Sequence, residues 1–263
     1  MDNNKIKKTA VIILAAGLGK RMGSDLPKVL HKINNTLMIM SVCDAAINSV
    51  NADIIIVIGY KGEEVKKTVS QKYGEKKYNI KFAYQEKQLG TGHAVKCAAP
   101  YLSDNIENVV ILYGDVPCLK TSTISELIHY HNSNQLDITV LGVKVKNPTG
   151  YGRLIMNSNT GLSAIVEEKD AGYEQKKINI INSGIYCINK NLLSDYIFKI
   201  KSNNVQQEFY LTDIIGIGYK EKKKIGAFIK DDNIEFMGIN SIEDLKYVKA
   251  YINSGKKNQP FLS

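Results

Sequence analysis

The stretch Ala10-Val11-Ile12-Ile13-Leu14-Ala15-Ala16-Gly17-Leu18-Gly19-Lys20-Arg21-Met22-Gly23 decides how the chain reads. Six apolar residues run straight into a loop of small residues and glycines. A short, unbroken apolar run is the pattern of a strand buried on both faces, as in a parallel sheet. Glycines directly after such a strand let the backbone approach a flat base or a phosphate. Two cations, Lys20 and Arg21, lie inside the loop, and Lys28 follows Pro27. Taken alone, this is either a phosphate-holding loop or a plain strand-to-helix turn. Two common loops are excluded. A dinucleotide fingerprint needs glycine where Met22 stands and an acid about 20 residues on, where the chain reads Leu37-Met38-Ile39-Met40. The string G-x-x-x-x-G-K-[ST] does not occur.

Outward from this stretch, β-rich apolar runs alternate with helical patterns. Strands are predicted at 10–15, 53–59, 80–84 and 108–113, and helices at 37–48, 61–72 and 91–101. That rhythm predicts a doubly wound α/β fold with a parallel sheet covered by helices. The second half changes character. A helix at 121–131 and a strand at 137–144 are followed by shorter strands near 152–156, 163–167 and 178–188. Helices at 191–198 and 210–220, a strand at 225–229 and a helix at 242–252 complete the pattern, so the sheet should be mixed. Residues 1–253 read as one domain and 254–263 as a polar tail.

A second apolar strand runs out into Tyr113-Gly114-Asp115-Val116-Pro117. Ligands of open α/β sheets bind beyond the carboxyl ends of strands. An acid there either holds Mg²⁺, which takes few carboxylates and many phosphate oxygens, or caps the turn.

The formal charge is +9, from 35 basic and 26 acidic residues. The lysines are scattered as pairs and no arginine-rich arm occurs, so a lysine-rich surface is expected rather than a nucleic-acid partner. Cys43, Cys97, Cys118 and Cys187 form no C-x-x-C pair, which excludes common zinc motifs. All four sit in apolar runs and should be buried free thiols, as suits a reducing cytoplasm. No segment has the roughly 20 apolar residues of a membrane helix, and no signal peptide is visible. G-x-S-x-G is absent, leaving a serine-hydrolase elbow without support. His129 and His131 fall at the polar end of a helix and should be solvated. His93, after a Gly-Thr-Gly turn, should hydrogen-bond within its loop. Glu167 and Glu168 cannot face the same way in a strand.

Together, Leu14–Gly23 and Ser24-Asp25-Leu26-Pro27-Lys28-Val29-Leu30 resemble the signature of sugar-nucleotide pyrophosphorylases. The string Gln85-Glu86-Lys87-Gln88-Leu89-Gly90-Thr91-Gly92-His93-Ala94 is similar to the uracil-reading segment of bacterial N-acetylglucosamine-1-phosphate uridylyltransferases. Tyr151-Gly152-Arg153, Ile165–Ala171, Ile181–Tyr186, Glu208–Asp213 and Gly238-Ile239-Asn240 follow in that family's order. The resemblance covers residues 9 to 240. It implies a Rossmann-like mixed sheet of the sugar-nucleotide pyrophosphorylase type and transfer of UMP from UTP to N-acetylglucosamine 1-phosphate. It also implies roles. Leu14, Ala15, Ala16, Gly17, Gln85, Gly90 and Thr91 would hold the nucleotide. Arg21 and Lys28 would neutralise the triphosphate. Asp115 and Asn240 would bind Mg²⁺. Gly152, Glu167, Asn182, Tyr210 and Thr212 would hold the sugar.

The alternatives are glucose 1-phosphate or another sugar phosphate as acceptor, or an inactive nucleotide-sensing homologue. The chain departs from the family at Ser183, usually threonine, and at Gln207, usually glycine. Bifunctional members carry a different charged segment where this chain has Ser241–Lys246. They also continue into a hexapeptide-repeat β-helix that acetylates glucosamine 1-phosphate. No such repeat occurs here, so no acetyl transfer and a monomer or weak dimer are expected.

Overall fold

The computed structural model describes residues 8–49, 53–74, 78–157, 161–231 and 234–255. Most of the predicted polar tail lies outside them. In chain order the elements are β1 (Thr9–Leu14), β2 (Lys32–Ile33), β3 (Thr36–Leu37), α1 (Met38–Ser49), β4 (Ile54–Ile58), α2 (Gly62–Tyr73), β5 (Ile80–Tyr84), α3 (Thr91–Ala98), β6 (Asn108–Tyr113), α4 (Thr121–Ser133) and β7 (Ile138–Lys144). Then come β8 (Arg153–Asn157), β9 (Gly161–Val166), α5 (Tyr173–Lys176), β10 (Ile180–Asn189), α6 (Lys190–Tyr196), α7 (Asp213–Lys220), β11 (Ile225–Asp231) and α8 (Ile242–Asn253).

The main sheet runs β11-β7-β10-β6-β1-β4-β5, with β8 and β9 attached beside β10. Strands β6, β1, β4 and β5 are parallel, while β10 runs antiparallel to both β6 and β7. The sheet is therefore mixed, as expected. Alternation along β1 sends Val11 and Ile13 to one face and Ala10, Ile12 and Leu14 to the other. The first face is covered by α1, α2 and α4 through Val42, Val65, Val69, Ile124 and Leu127. The second is covered by α3, α6 and α7 through Val95, Leu193, Ile214 and Ile215. Helices on both faces make the fold doubly wound. A third apolar cluster joins Met22 of the glycine loop to Ile33, Ile239, Leu245 and Val248, so α8 packs against that loop.

Several expectations change. His131 is buried, 1% exposed, with Nδ1 2.9 Å from the Thr139 hydroxyl. It continues the buried face of α4 begun by Ile124 and Leu127, so helical period outweighs the polar neighbours. Cys43 and Cys187 are buried, but Cys97 and Cys118 are only partly so. Helix α3 stops at Ala98 because Pro100 turns residues 99–101 into a 3₁₀ turn. Helix α7 begins at Asp213 rather than Tyr210, because residues 210–212 enter it through tight i→i+3 turns. The β2–β3 hairpin was not anticipated; Asn34 takes the left-handed φ of 51° that its tight turn requires.

Candidate active site

Two cavities open side by side, the first beyond the carboxyl ends of β1, β5 and β6. The first encloses about 300 Å³ and is lined by Leu14, Ala15, Ala16, Gly17, Lys28, Gln85, Gly90 and Thr91, with Asp115 and Asn240 at its inner end. The second encloses about 330 Å³ and is lined by Gly152, Glu167, Asn182, Tyr210 and Thr212, again with Thr91, Asp115 and Asn240. Of the sixteen residues singled out from the sequence, fifteen thus line one of two adjoining spaces. Arg21 is the exception. It is exposed on a 3₁₀ turn, Lys20–Met22, between left-handed Gly19 and Gly23.

The floor of the first cavity extends the sheet. The Ala15 N–H donates to the Val57 carbonyl and the Gly114 N–H to the Leu14 carbonyl, at 2.8 and 2.9 Å. Beyond this point the glycine loop passes against Lys28. A methyl on Gly19 would come within 2.9 Å of the Lys28 Cβ, and Gly19 has φ 62°, so glycine is required twice over. On the far wall, Gly90 has φ 103° and packs against Phe209 so closely that a methyl would lie 2.7 Å from the Phe209 carbonyl oxygen. The Gly92 N–H donates to that oxygen and the Phe209 N–H to the Leu89 carbonyl. These bonds fasten the loop at the start of α3 to the segment before α7, joining the two halves of the site.

At the junction, Lys28 Nζ makes a short ion pair with Asp115 and donates to Asn240 Oδ1 at 3.0 Å. The lysine and aspartate side chains are nearly buried, 14% and 12% exposed. The Asp115 carboxylate thus faces a cation. The main-chain carbonyl of Asp115 accepts from the Ile239 N–H at 2.8 Å, which brings Asn240 alongside. Asn240 is fixed further by its own N–H donating to Asp244 Oδ2 and its Nδ2 donating to the Gly238 carbonyl. Asp244 belongs to a capping box with Ser241 that starts α8. The segment 241–246, where the chain departs from the bifunctional pattern, thus orients Asn240.

Asp115 and Asn240 place two hard oxygen donors around one position where a cation, the Lys28 ammonium, already sits. That donor set fits Mg²⁺, which completes its shell with substrate phosphates and water. Among the described residues no group of three or more His, Cys, Asp or Glu forms a dedicated metal cage.

The second cavity is lined by hydrogen-bonding side chains. A methyl on Gly152 would lie 3.2 Å from Glu167 Oε2, and the Asn182 N–H donates to the Gly152 carbonyl at 2.8 Å. The Asn182 side chain is held by Tyr186 and Gly184, beside the register shift in β10. Burial raises the Glu167 pKa above its ordinary value; Thr212 opposes the shift and Asp170 and Asp213 add to it. The Tyr210 hydroxyl is buried with no protein partner among the described residues. Glu167 faces the cavity, while Glu168 turns away to pair with buried Arg153 at 2.7 Å, as their adjacency requires. Ser183, one of the two departures, donates its hydroxyl to the Leu141 carbonyl and accepts from the Ile185 N–H, so it serves the backbone. Gln207 takes φ 54° where the family's glycine would be at ease.

Sequence reasoning overlooked four residues. Tyr113 and Glu208 line both cavities, and Gln88 lines the first. Arg153, 1% exposed, ties Glu168 to the Tyr151 carbonyl behind Gly152. Tyr113 directly precedes Gly114-Asp115, a signal that could have marked it.

Residues 10–254 match the nucleotidyl transferase family. The chain belongs to that family. It is 44% identical over 240 residues to the bifunctional protein GlmU of Caldicellulosiruptor saccharolyticus, covering 91% of this chain and 50% of that protein. It is 46% identical over 230 residues to GlmU of Clostridium beijerinckii, covering 88% of this chain and 49% of the relative. It is 39% identical over 251 residues to the probable UDP-N-acetylglucosamine pyrophosphorylase of Acanthamoeba polyphaga mimivirus, covering 94% and 97%. The chain thus spans about half the length of these GlmU relatives and nearly all of the viral one. The resemblance read from its motifs stands. A solved UDP-glucose pyrophosphorylase in complex with UDP-glucose shares the fold, with a TM-score of 0.75 at 16% identity, over 95% of this chain and all of that one. So does HddC from Yersinia pseudotuberculosis complexed with GMP-PN, with a TM-score of 0.64 at 22% identity, over 92% and 99%. No helix among the described residues is long and apolar enough to cross a membrane.

Proposed function

We propose that the chain transfers UMP from UTP to N-acetylglucosamine 1-phosphate, releasing pyrophosphate and giving UDP-N-acetylglucosamine. The observation that carries this reading is the shared junction of the two cavities, where Lys28, Asp115 and Asn240 converge. A nucleotide in the first cavity and a sugar phosphate in the second would meet there with their phosphates adjoining. Backbone groups of Leu14–Gly17 would hold the nucleoside, and Gln85, Gly90 and Thr91 would face the base. Glu167 and Asn182 would hold sugar hydroxyls. Lys28, with Arg21 from the exposed turn, would balance the triphosphate charge. The viral relative named for this sugar nucleotide supports the choice of acceptor.

The chemistry asks little of a general base. The attacking sugar phosphate oxygen is an anion at neutral pH, so the barrier is mainly the approach of two polyanions. Preorganised cations lower that barrier in the transition state. Mg²⁺ held by Asp115 and Asn240 would supply further positive charge to the reacting phosphates. The sugar C1–O bond is not broken, so the anomeric configuration is retained.

Pyrophosphate release should require UTP, N-acetylglucosamine 1-phosphate and Mg²⁺ together. Comparable turnover with glucose 1-phosphate would sink the choice of sugar, and preference for another triphosphate would sink the choice of base. Tyr210→Phe refines the test of the second cavity. The lost hydroxyl has no protein partner, so melting should not fall. If the sugar phosphate bonds it, KM for that substrate should rise about 5- to 10-fold, the worth of one hydrogen bond. An unchanged KM would remove Tyr210 from the sugar pocket.

A further inference from the structure

Gln85 lines the first cavity and is 4% exposed. Its carboxamide nitrogen donates to the Gly90 carbonyl at 3.0 Å. A carbonyl only accepts, so the orientation of this amide is fixed: the NH₂ group faces Gly90. The same nitrogen lies 3.2 Å from Nδ1 of His93, one turn into α3. An amide NH₂ has no lone pair to offer there, so Nδ1 must be the acceptor and the ring proton belongs on Nε2. The Phe209 ring packs on the imidazole, with centroids 6.4 Å apart. The surroundings favour the neutral ring this assignment needs. Burial, and then the nearby Lys96 charge, hold the His93 pKa below its ordinary value. Both amide hydrogens of Gln85 are therefore committed, one to Gly90 and one to His93. Its oxygen is the only hydrogen-bonding atom of the side chain left for a ligand.

We propose that His93 is a positioning residue that locks the Gln85 carboxamide with its oxygen toward the base, so that the pocket accepts a pyrimidine carrying an imide N–H and rejects cytosine. The inference rests on reading the first cavity as the nucleotide site. Uracil offers N3–H, which a fixed carbonyl oxygen can accept. Cytosine offers a bare lone pair at N3, which the same oxygen repels. A freely turning amide would present its NH₂ instead and suit cytosine. Discrimination therefore depends on what prevents the turn. Gly90 supplies one restraint through its carbonyl, and His93 supplies the second through a ring nitrogen. A buried polar group left unpaired by the wrong ligand is the usual source of strong selectivity between isosteres.

The experiment measures pyrophosphate release with UTP and with CTP in wild type, His93→Leu, His93→Phe and His93→Asn. His93→Leu should raise KM for UTP and lower the UTP-to-CTP ratio of kcat/KM about tenfold, with KM for the sugar phosphate within about twofold of wild type. His93→Phe keeps a ring against Phe209 without the lone pair and should give the same loss, so the test survives if the leucine variant does not fold. His93→Asn places a carboxamide oxygen near the position of Nδ1 and should restore most of the ratio. A ratio unchanged in both His93→Leu and His93→Phe overturns the assignment, as does a loss that asparagine fails to rescue. A wild-type protein that turns over no UTP instead overturns the reading of the cavity itself.

Discussion

Asp115→Asn should lower kcat by roughly 10²–10³-fold, the usual loss when one preorganised electrostatic contact with the reacting phosphates is removed. Asparagine keeps the shape and one oxygen acceptor but not the negative charge that retains a hard dication. The fold should tolerate the change. The main-chain bond from Ile239 to the Asp115 carbonyl does not involve the side chain, and an asparagine oxygen can still accept from the Lys28 ammonium. Thermal unfolding followed beside turnover separates the two roles available to an acid in this turn. A turn-capping aspartate would lose at most about 1 kcal/mol of stability and almost no activity. A metal ligand would melt nearly as wild type, turn over poorly, and regain part of its rate at high Mg²⁺ or Mn²⁺. Retention of more than about a tenth of wild-type turnover at limiting Mg²⁺ removes Asp115 from the metal site.

What was legible in the sequence is what local periodicity controls. Strands β1, β4 and β6 are buried on both faces, so each reads as an unbroken apolar run and its position follows almost to the residue. The glycine loop and the Gly114-Asp115 turn were legible because they punctuate those runs. The list of site residues came from matching motifs to a family. Its convergence came from the fold, since Lys28, Asp115 and Asn240 lie 87 and 212 residues apart along the chain. No local pattern could show that Lys28 bridges the other two, or that Asp244 orients Asn240. His131 misled for a related reason. A histidine beside polar neighbours reads as solvated, yet it falls on the inward stripe of α4 and meets Thr139 of β7. Arg153 is the extreme case, a charge 1% exposed whose partners Glu168 and the Tyr151 carbonyl reach it only once β8 and β9 are paired.

Lys28→Met gives the sharpest contrast, because it should move activity and metal affinity in opposite directions. In this structure the ammonium occupies the position between Asp115 and Asn240 that a metal ion would take. If Lys28 also neutralises the triphosphate during turnover, its loss should cost kcat roughly 10²–10³-fold. Methionine has nearly the same length and fills the space without charge, so packing is largely kept. The nearly buried Asp115 carboxylate is then left without its cation, which should destabilise the metal-free protein by about 1–3 kcal/mol. For a chain of this size that is a fall in Tm of about 2–4 °C for each kcal/mol. The vacated oxygens should also bind a divalent ion more readily, since no internal cation competes for them. Mn²⁺ titrated without nucleotide, followed by its electron paramagnetic resonance signal, should bind Lys28→Met more tightly than wild type. Mn²⁺ should also raise the variant's Tm more, because a ligand that binds only the folded state stabilises it in proportion to its affinity. A purely structural lysine predicts a lower Tm that Mn²⁺ leaves where it is. A lysine that touches only phosphate predicts lost turnover with unchanged Mn²⁺ affinity. Equal or weaker Mn²⁺ binding by Lys28→Met would show that the ammonium and the metal do not share the Asp115–Asn240 position.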